Sequence, residues 1–118
     1  MKILILGGDG MIGHKMAQFL SVQNHEVVIS VREKKELTLK RILPKVKVFF
    51  NDFLKDNILD FLDKVNPDII INAIGITTRR GVTENISDTI YFNSLFPHQL
   101  SNWALAFKKR LIHFFELL

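Results

Sequence analysis

Short, mostly apolar runs alternate along this chain with stretches of helical periodicity. The runs are four or five residues long and rich in isoleucine and valine, and they occupy residues 3–6, 27–31, 46–50, 69–73 and 111–115. Such runs are typical of parallel strands that are covered on both faces. Because crossovers between parallel strands are right-handed, the alternation predicts an α/β fold with a doubly wound parallel sheet of about five strands and helices on both faces.

The stretches between the runs have the apolar spacing of helices. They cover residues 11–24, 33–42, 58–65 and 87–107, of which the second is a short peripheral helix. Asn66 and Pro67 end the third stretch, because a residue before proline is pushed out of helical conformation. Pro97 indicates a start or a kink in the last one.

Bulk properties exclude several classes of protein. The 118 residues suit one domain, and their scattered net charge of +4 favours a solvated surface over a nucleic-acid site. Without cysteine there is no disulfide framework or thiolate metal site, and the four histidines have no ligand spacing. The first apolar run is too short for a signal core or a membrane span. We expect a cytoplasmic protein with no metal, membrane or nucleic-acid partner.

Three glycines at every third position, Gly7, Gly10 and Gly13, lie between the first strand and the first helix. The first permits a tight turn, the second removes a side chain where the backbone meets a pyrophosphate, and the third lets the helix pack closely. Free amides at the helix start, those of Met11 and Ile12, would receive the phosphate charge. The pattern predicts the nicotinamide dinucleotide site of a Rossmann fold, the alternative being a turn used only for packing.

The choice of cofactor depends on the end of the second strand. An acidic residue there would hold the ribose hydroxyls, whereas a basic one would accept a 2′-phosphate. Arg32 stands at this position and no acidic residue precedes Glu33, so we predict NADP(H) over NAD(H) unless the arginine is simply a solvated surface residue. Asp52, after the third strand, is either a ligand of the adenine amine or a helix cap ahead of Leu54.

Four segments resemble the extended short-chain dehydrogenase/reductases. They are residues 5–14, 67–76, 93–100 and 110–114, of which the first has the Gly-x-x-Gly-x-x-Gly spacing of that family. Within it the pattern is most similar to the dTDP-4-dehydrorhamnose reductase group, which acts on nucleotide-activated sugars. The resemblance implies that Ala73, Ile74 and Gly75 lie along the cofactor riboses and that Asn93 lies on a helix beneath the cofactor. Alternatively, Asn93 is a helix cap and Asn72 terminates a strand.

The resemblance also implies a reaction, hydride transfer from a nicotinamide to a sugar C4 ketone. In that family a tyrosine donates the proton, and a lysine four residues later lowers its pKa. The sole tyrosine, Tyr91, is followed at that distance by Leu95, so we predict a packing role for it. The family's Ser-Thr-Asp segment is replaced here by Phe-Glu-Leu-Leu at residues 115–118. We therefore assign no catalytic residue and expect a truncated cofactor-binding part that is inactive alone.

Three alternatives stay open from the sequence. The chain is a non-catalytic module that senses the cofactor or docks onto a partner, a fragment of a nucleotide-sugar epimerase or dehydratase, or half of an enzyme whose other half is encoded separately. A nucleotide sugar would bind only if a C-terminal part completed the site. The fifth strand would form a sheet edge at which Phe114, Phe115, Leu117 and Leu118 favour self-association.

Overall fold

The computed structural model describes residues 1–8, 10–32, 45–74 and 86–114 of the chain. The predicted peripheral helix of residues 33–42, Gly75 of the predicted cofactor site and the residues from Phe115 onward lie outside these ranges. Within them the chain forms one sheet with helices on both of its faces.

Every apolar run contributes a strand to the sheet. The strands are β1 (Lys2–Leu6), β2 (Glu26–Val31), β3 (Lys47–Phe50), β4 (Ile69–Asn72) and β5 (Arg110–His113). They lie in the order β3-β2-β1-β4-β5, and all neighbouring pairs are parallel. In the central strand, Ile5 pairs with Ile29 of β2 on one side and with Ile71 of β4 on the other. The predicted doubly wound parallel sheet is confirmed, and each strand begins within one residue of its apolar run.

The helices are α1 (Met11–Ser21), α2 (Ile58–Val65), α3 (Ile86–Ile90) and α4 (Phe96–Phe107). The first ends before Asn24, where the sequence placed its end. The chain tightens there into a turn in which the Gln23 amide donates to the Leu20 carbonyl oxygen at 3.2 Å. This shorter hydrogen-bonded ring satisfies a carbonyl that the helix would otherwise leave open.

Asparagine residues cap both ends of α2, the first through its side chain and the second through its backbone. The Asn57 carboxamide oxygen accepts hydrogen bonds from the amides of Leu59 and Asp60, at 2.9 and 3.2 Å. At the other end Asn66 adopts a left-handed conformation with a φ of 49°, and its amide donates to the Leu62 carbonyl oxygen. The predicted end of this helix at Asn66 is confirmed, because Pro67 excludes the helical conformation there.

Pro97 lies in the first turn of α4, so the predicted helix start at this proline is confirmed to within one residue. A π-helical turn, Tyr91–Leu95, joins α3 to α4 without interruption, and the Phe96 amide donates to the Tyr91 carbonyl oxygen. Proline has no amide hydrogen to donate and crowds the preceding turn, so a wider turn just ahead of it relieves both conflicts. Asn93 lies inside this turn and is therefore not a helix cap.

Two hydrophobic layers hold the helices on the sheet. On one face α1 packs through Ala17 onto strand residues such as Ile5 and Ile29. On the other face α2 and α4 pack on Leu4, Leu6 and Ile70. The second layer is centred on the completely buried Phe96, whose ring lies 5.5 Å from those of both Phe53 and Phe92. α1 thus packs on one face of the sheet and α2 and α4 on the other, as a doubly wound fold requires.

Candidate functional site

The chain makes a tight turn directly after β1. Gly7 has a φ of +79°, which side chains rarely tolerate, and a Cβ atom there would lie 3.0 Å from the backbone carbonyl atoms of Ala73. The amides of Gly7 and Gly8 both donate to the Ser30 carbonyl oxygen of β2, at 3.0 and 3.1 Å. The turn therefore lies against the ends of both strands that flank β1.

Gly13 is the point of closest approach between α1 and this turn. A Cβ atom on it would lie 2.9 Å from the Gly7 carbonyl carbon, and closer still to the carbonyl oxygen. At Gly10 the nearest atom to a Cβ, among the residues that the structure describes, would be the Gly7 oxygen at 3.4 Å, which is an ordinary contact. Gly8, to which the spacing gave no role, is also constrained, because its Cβ would lie 2.8 Å from Cβ of Ile29.

The first turn of α1 has no side-chain cap. Gly10 is the N-cap residue in an extended conformation, and the turn that follows contains no acidic residue. A helix start leaves backbone amides without partners in the helix and carries a partial positive charge. Those of Met11, Ile12 and Gly13 are thus chemically suited to a phosphate, and the binding of one by Met11 and Ile12 stays a prediction.

Asn72 joins β4 to the neighbouring strand at the same edge of the sheet. Its side chain is completely buried, and its Oδ1 accepts a hydrogen bond from the Ile74 amide at 3.1 Å. Because Oδ1 is used in this way, Nδ2 faces His113 and donates to the ring Nδ1 at 2.8 Å. The Asn72 carbonyl oxygen also accepts from the Phe114 amide at 3.0 Å. Asn72 thus terminates the strand and in addition positions Ala73 and Ile74 beside the glycine turn.

His113 has a pKa below its usual value of 6.5 because burial disfavours the charged ring. The unfolded chain then binds a proton more readily than the folded one, so we predict that the free energy of unfolding falls as the pH drops below about 6.5. Urea titrations at several pH values measure this dependence. His113→Gln should flatten it, whereas His98→Gln, at an exposed position of α4, should leave it unchanged. An equal slope in His113→Gln and the parent would contradict the assignment.

The predicted adenosine end lies across β2 and β3. Arg32 is exposed directly after β2. The carboxylate of Asp52 accepts from the Leu54 amide at 3.1 Å, and that of Asp56 accepts from the Asp52 amide at 2.8 Å. Asp52 therefore caps a turn and not a helix, because residues 53–56 form no helix and α2 begins at Ile58 with Asn57 as its N-cap. Its predicted contact with adenine stays a prediction.

Residues 3–115 match the model of the NAD dependent epimerase/dehydratase family. The chain belongs to this family. No protein among the curated sequences matches it significantly.

Solved structures share the fold of this epimerase/dehydratase family member. A hypothetical dTDP-4-dehydrorhamnose reductase from Sulfolobus tokodaii superposes with a TM-score of 0.77 at 21% identity, over 96% of this chain and 38% of that one. A UDP-glucose-4-epimerase from Stenotrophomonas maltophila was solved with NAD and formylated UDP-arabinopyranose. It superposes with a TM-score of 0.74 at 18% identity, over 96% of this chain and 36% of that one. The Bordetella bronchiseptica enzyme WbmG in complex with NAD superposes with a TM-score of 0.74 at 18% identity, over 96% of this chain and 36% of that one. This chain thus spans about a third of their length, and such identities show the shared fold alone.

Asn93 and Tyr91 of this family member lie in the π-helical turn. The first is exposed, while the ring of the second is half-buried against Phe92 and Phe96 at 5.1 and 5.8 Å. The Tyr91 hydroxyl donates to Gln99 Oε1 at 3.4 Å. Burial raises the pKa of Tyr91 above 10.0, which makes it a poorer proton donor. The predicted packing role of Tyr91 is confirmed by these contacts.

In the parts of the chain that the structure describes, no helix is both long and apolar enough to cross a membrane. Among these same residues, no group of three His, Cys, Asp or Glu side chains is placed to hold a metal ion.

Proposed function

We propose that residues 1–118 form one dinucleotide-binding domain, the cofactor-binding part of a nucleotide-sugar reductase similar to dTDP-4-dehydrorhamnose reductase. One observation carries the proposal. Gly7 packs against Ala73 and Ile74 at the carboxyl edge of the sheet, and the start of α1, which has no side-chain cap, follows in the same turn. Doubly wound folds bind ligands at this edge, between strands whose connections run to opposite faces. Here those strands are β1 and β4.

The turn fits a pyrophosphate. Gly7 and Gly13 bring its backbone together, and Gly10 presents no side chain to the space outside. The amides of Met11, Ile12 and Gly13 would then bind the phosphate oxygens, with the partial positive charge of the helix start as support.

The other predicted residues would bind the two ends of the dinucleotide. Arg32 and Asp52 follow the strands at the adenosine end, where a cation favours the 2′-phosphate of NADP(H) and a carboxylate accepts from the adenine amine. Ala73, Ile74 and Gly75 would lie along the riboses, and Asn93 would lie beneath the cofactor, whose nicotinamide when bound supplies the hydride.

This chain is proposed to be inactive alone. Proton transfer to a sugar ketone needs a donor whose pKa is tuned by a neighbour, and Tyr91 has Leu95 where the family's lysine would stand. Its hydroxyl is engaged with Gln99 and its pKa is raised. A nucleotide sugar would bind only when a further part of the fold completes the site.

Isothermal titration calorimetry of the full chain with NADP⁺ and NAD⁺ tests cofactor binding. We expect binding heat from both dinucleotides and a lower dissociation constant for NADP⁺ than for NAD⁺. No heat from either, in a sample whose circular dichroism shows a folded protein, would disprove the proposal.

Arg32→Glu should reverse the predicted preference of the chain for NADP⁺ over NAD⁺. Replacing a cation by an anion beside the 2′-phosphate should weaken the binding of NADP⁺ at least ~10-fold, or by about 1.4 kcal/mol, and should have a smaller effect on the binding of NAD⁺. Arg110→Glu is the matched control, because this exposed arginine begins β5 at the opposite edge of the sheet. Equal losses in both variants would show that Arg32 is only a solvated residue.

An epimerase or dehydratase of the same family is the second candidate. Neighbours of this kind, such as the Stenotrophomonas epimerase, were solved with NAD and superpose as well as the reductase does. Tighter binding of NAD⁺ than of NADP⁺ in the titration would favour this candidate.

A module that docks through its sheet edge is a further proposal to be tested. In the described part of the chain β5 is the last strand on its side of the sheet, and Ile112 on it is 45% exposed. Light scattering after size-exclusion chromatography should show a dimer if this edge self-associates, and a clean monomer at high concentration would count against it.

A further inference from the structure

A hydrogen bond between two side chains joins the carboxyl ends of β2 and β3. Ser30 is 2% exposed, and its hydroxyl donates to Oδ1 of Asn51 at 2.8 Å. The Asn51 backbone is fixed as well, since its amide donates to the Val31 carbonyl oxygen at 3.0 Å. The Ser30 carbonyl oxygen accepts the amides of Gly7 and Gly8, so one residue connects Asn51 to the glycine turn.

The hydrogen bond decides which end of the Asn51 amide is available to a ligand. With Oδ1 turned to Ser30, the two N–H groups of Nδ2 lie on the opposite branch of the amide. Asn51 is only partly buried, and it directly follows β3 at the carboxyl edge of the sheet, where these donors would be available to a ligand.

The neighbouring groups reinforce this donor character. Arg32, exposed after β2, can only donate hydrogen bonds. Val31, between it and Ser30, is buried and apolar, and the Asp52 carboxylate is engaged with the Leu54 amide. A ribose diol is best recognised by a carboxylate that accepts from both hydroxyls, whereas a phosphate monoester only accepts.

We propose that Asn51, positioned by Ser30, is a second determinant of dinucleotide specificity and donates from Nδ2 to the 2′-phosphate of NADP(H) beside Arg32. This inference rests on the proposed dinucleotide site and names a residue that no sequence motif had marked. Ser30 acts through Asn51 and is a positioning residue.

Asn51→Asp tests the proposal with almost no change of shape. The Ser30 hydroxyl can still donate to one carboxylate oxygen, while the other replaces the amide donor by an acceptor with negative charge. We expect the dissociation constant of NADP⁺ to rise at least ~10-fold and that of NAD⁺ to stay within about 3-fold or fall, measured by calorimetry of the full chain.

Two further variants separate specificity from general effects. Asn24→Asp makes the same change at an exposed position in the turn before β2, far from this edge, and should leave both constants unchanged. Ser30→Ala removes the hydroxyl and keeps the backbone carbonyl, so the ratio of the two constants should shift toward NAD⁺ by a few-fold. Thermal unfolding of each variant should show that all three are folded at the titration temperature.

The outcomes distinguish this inference from the proposed function. If neither dinucleotide binds the parent chain, the proposed function fails. A second outcome is that the parent chain binds while Asn51→Asp lowers the affinity for both dinucleotides equally or leaves both affinities unchanged. In either case the role of Asn51 is disproved while the dinucleotide site stands. A parent chain that binds NAD⁺ more tightly than NADP⁺ would also disprove the role of Asn51. Adenosine 2′,5′-bisphosphate should lose affinity in Asn51→Asp, and adenosine 5′-monophosphate should not.

Discussion

Gly13→Ala should abolish measurable dinucleotide binding and destabilise the fold by about 1–3 kcal/mol, the usual cost of overpacking. The added methyl group would meet the carbonyl group of Gly7, which is backbone and cannot rotate away. Relief requires α1 to move off the turn, and this displaces the amides that would bind the pyrophosphate. Calorimetric titration and urea unfolding of the same preparation measure both effects.

Gly10→Ala is the control for this experiment. Its methyl group meets only the Gly7 oxygen, at 3.4 Å, so the free energy of unfolding should fall by no more than about 1 kcal/mol, mostly from the poorer N-cap. Binding should nevertheless be lost, because the methyl group occupies the space proposed for the pyrophosphate. Unchanged binding in Gly10→Ala would place the ligand elsewhere, and a fully stable Gly13→Ala would show that α1 does not approach the turn so closely.

Phe96→Ala should lower the free energy of unfolding by about 3–5 kcal/mol. This ring is completely buried and touches the rings of Phe53, Tyr91 and Phe92, so its removal leaves a cavity that the surrounding helices cannot readily fill. Domains of this size have a total stability of about 5–15 kcal/mol, and the variant should therefore be partly unfolded near physiological temperature.

Leu105→Ala makes a comparable truncation on the same helix. Leu105 is 81% exposed, so the change should stay within about 0.5 kcal/mol. Urea titration of both variants gives the comparison. An equal decrease in the free energy of unfolding in both variants would mean that α4 packs on the sheet through a different face.

The sheet could be predicted because its signals are local. Ile3 to Leu6 and Ile69 to Ile71 are apolar without interruption, and this alone marks strands that are buried on both faces. The glycine turn could be predicted for the same reason, since three residues at fixed spacing report a tight turn and a close helix. Asn66 with Pro67 likewise marked a helix end from two adjacent residues.

The contacts that refine the site depend on residues far apart in the sequence. Asn72 meets His113 only because β4 and β5 are neighbours in a particular register, and Ser30 meets Asn51 only because β2 and β3 are. No periodicity signals such pairs. Pro97 indicated that the long helix would be disturbed, but whether by a start, a kink or a wide turn was decided by how Phe92 and Phe96 fit into the core.

The order of the strands also bears on how the chain is synthesised. β1 is the first strand to leave the ribosome, yet it pairs with β4 through Ile3 and Ile69, so one side of it stays open until the second half of the chain has emerged. The carbonyl of Ala73, against which Gly7 packs, arrives equally late. A nascent chain that ends before β4 would therefore lack one wall of the glycine turn, and added dinucleotide should give it no protection from proteolysis if this turn is the binding site.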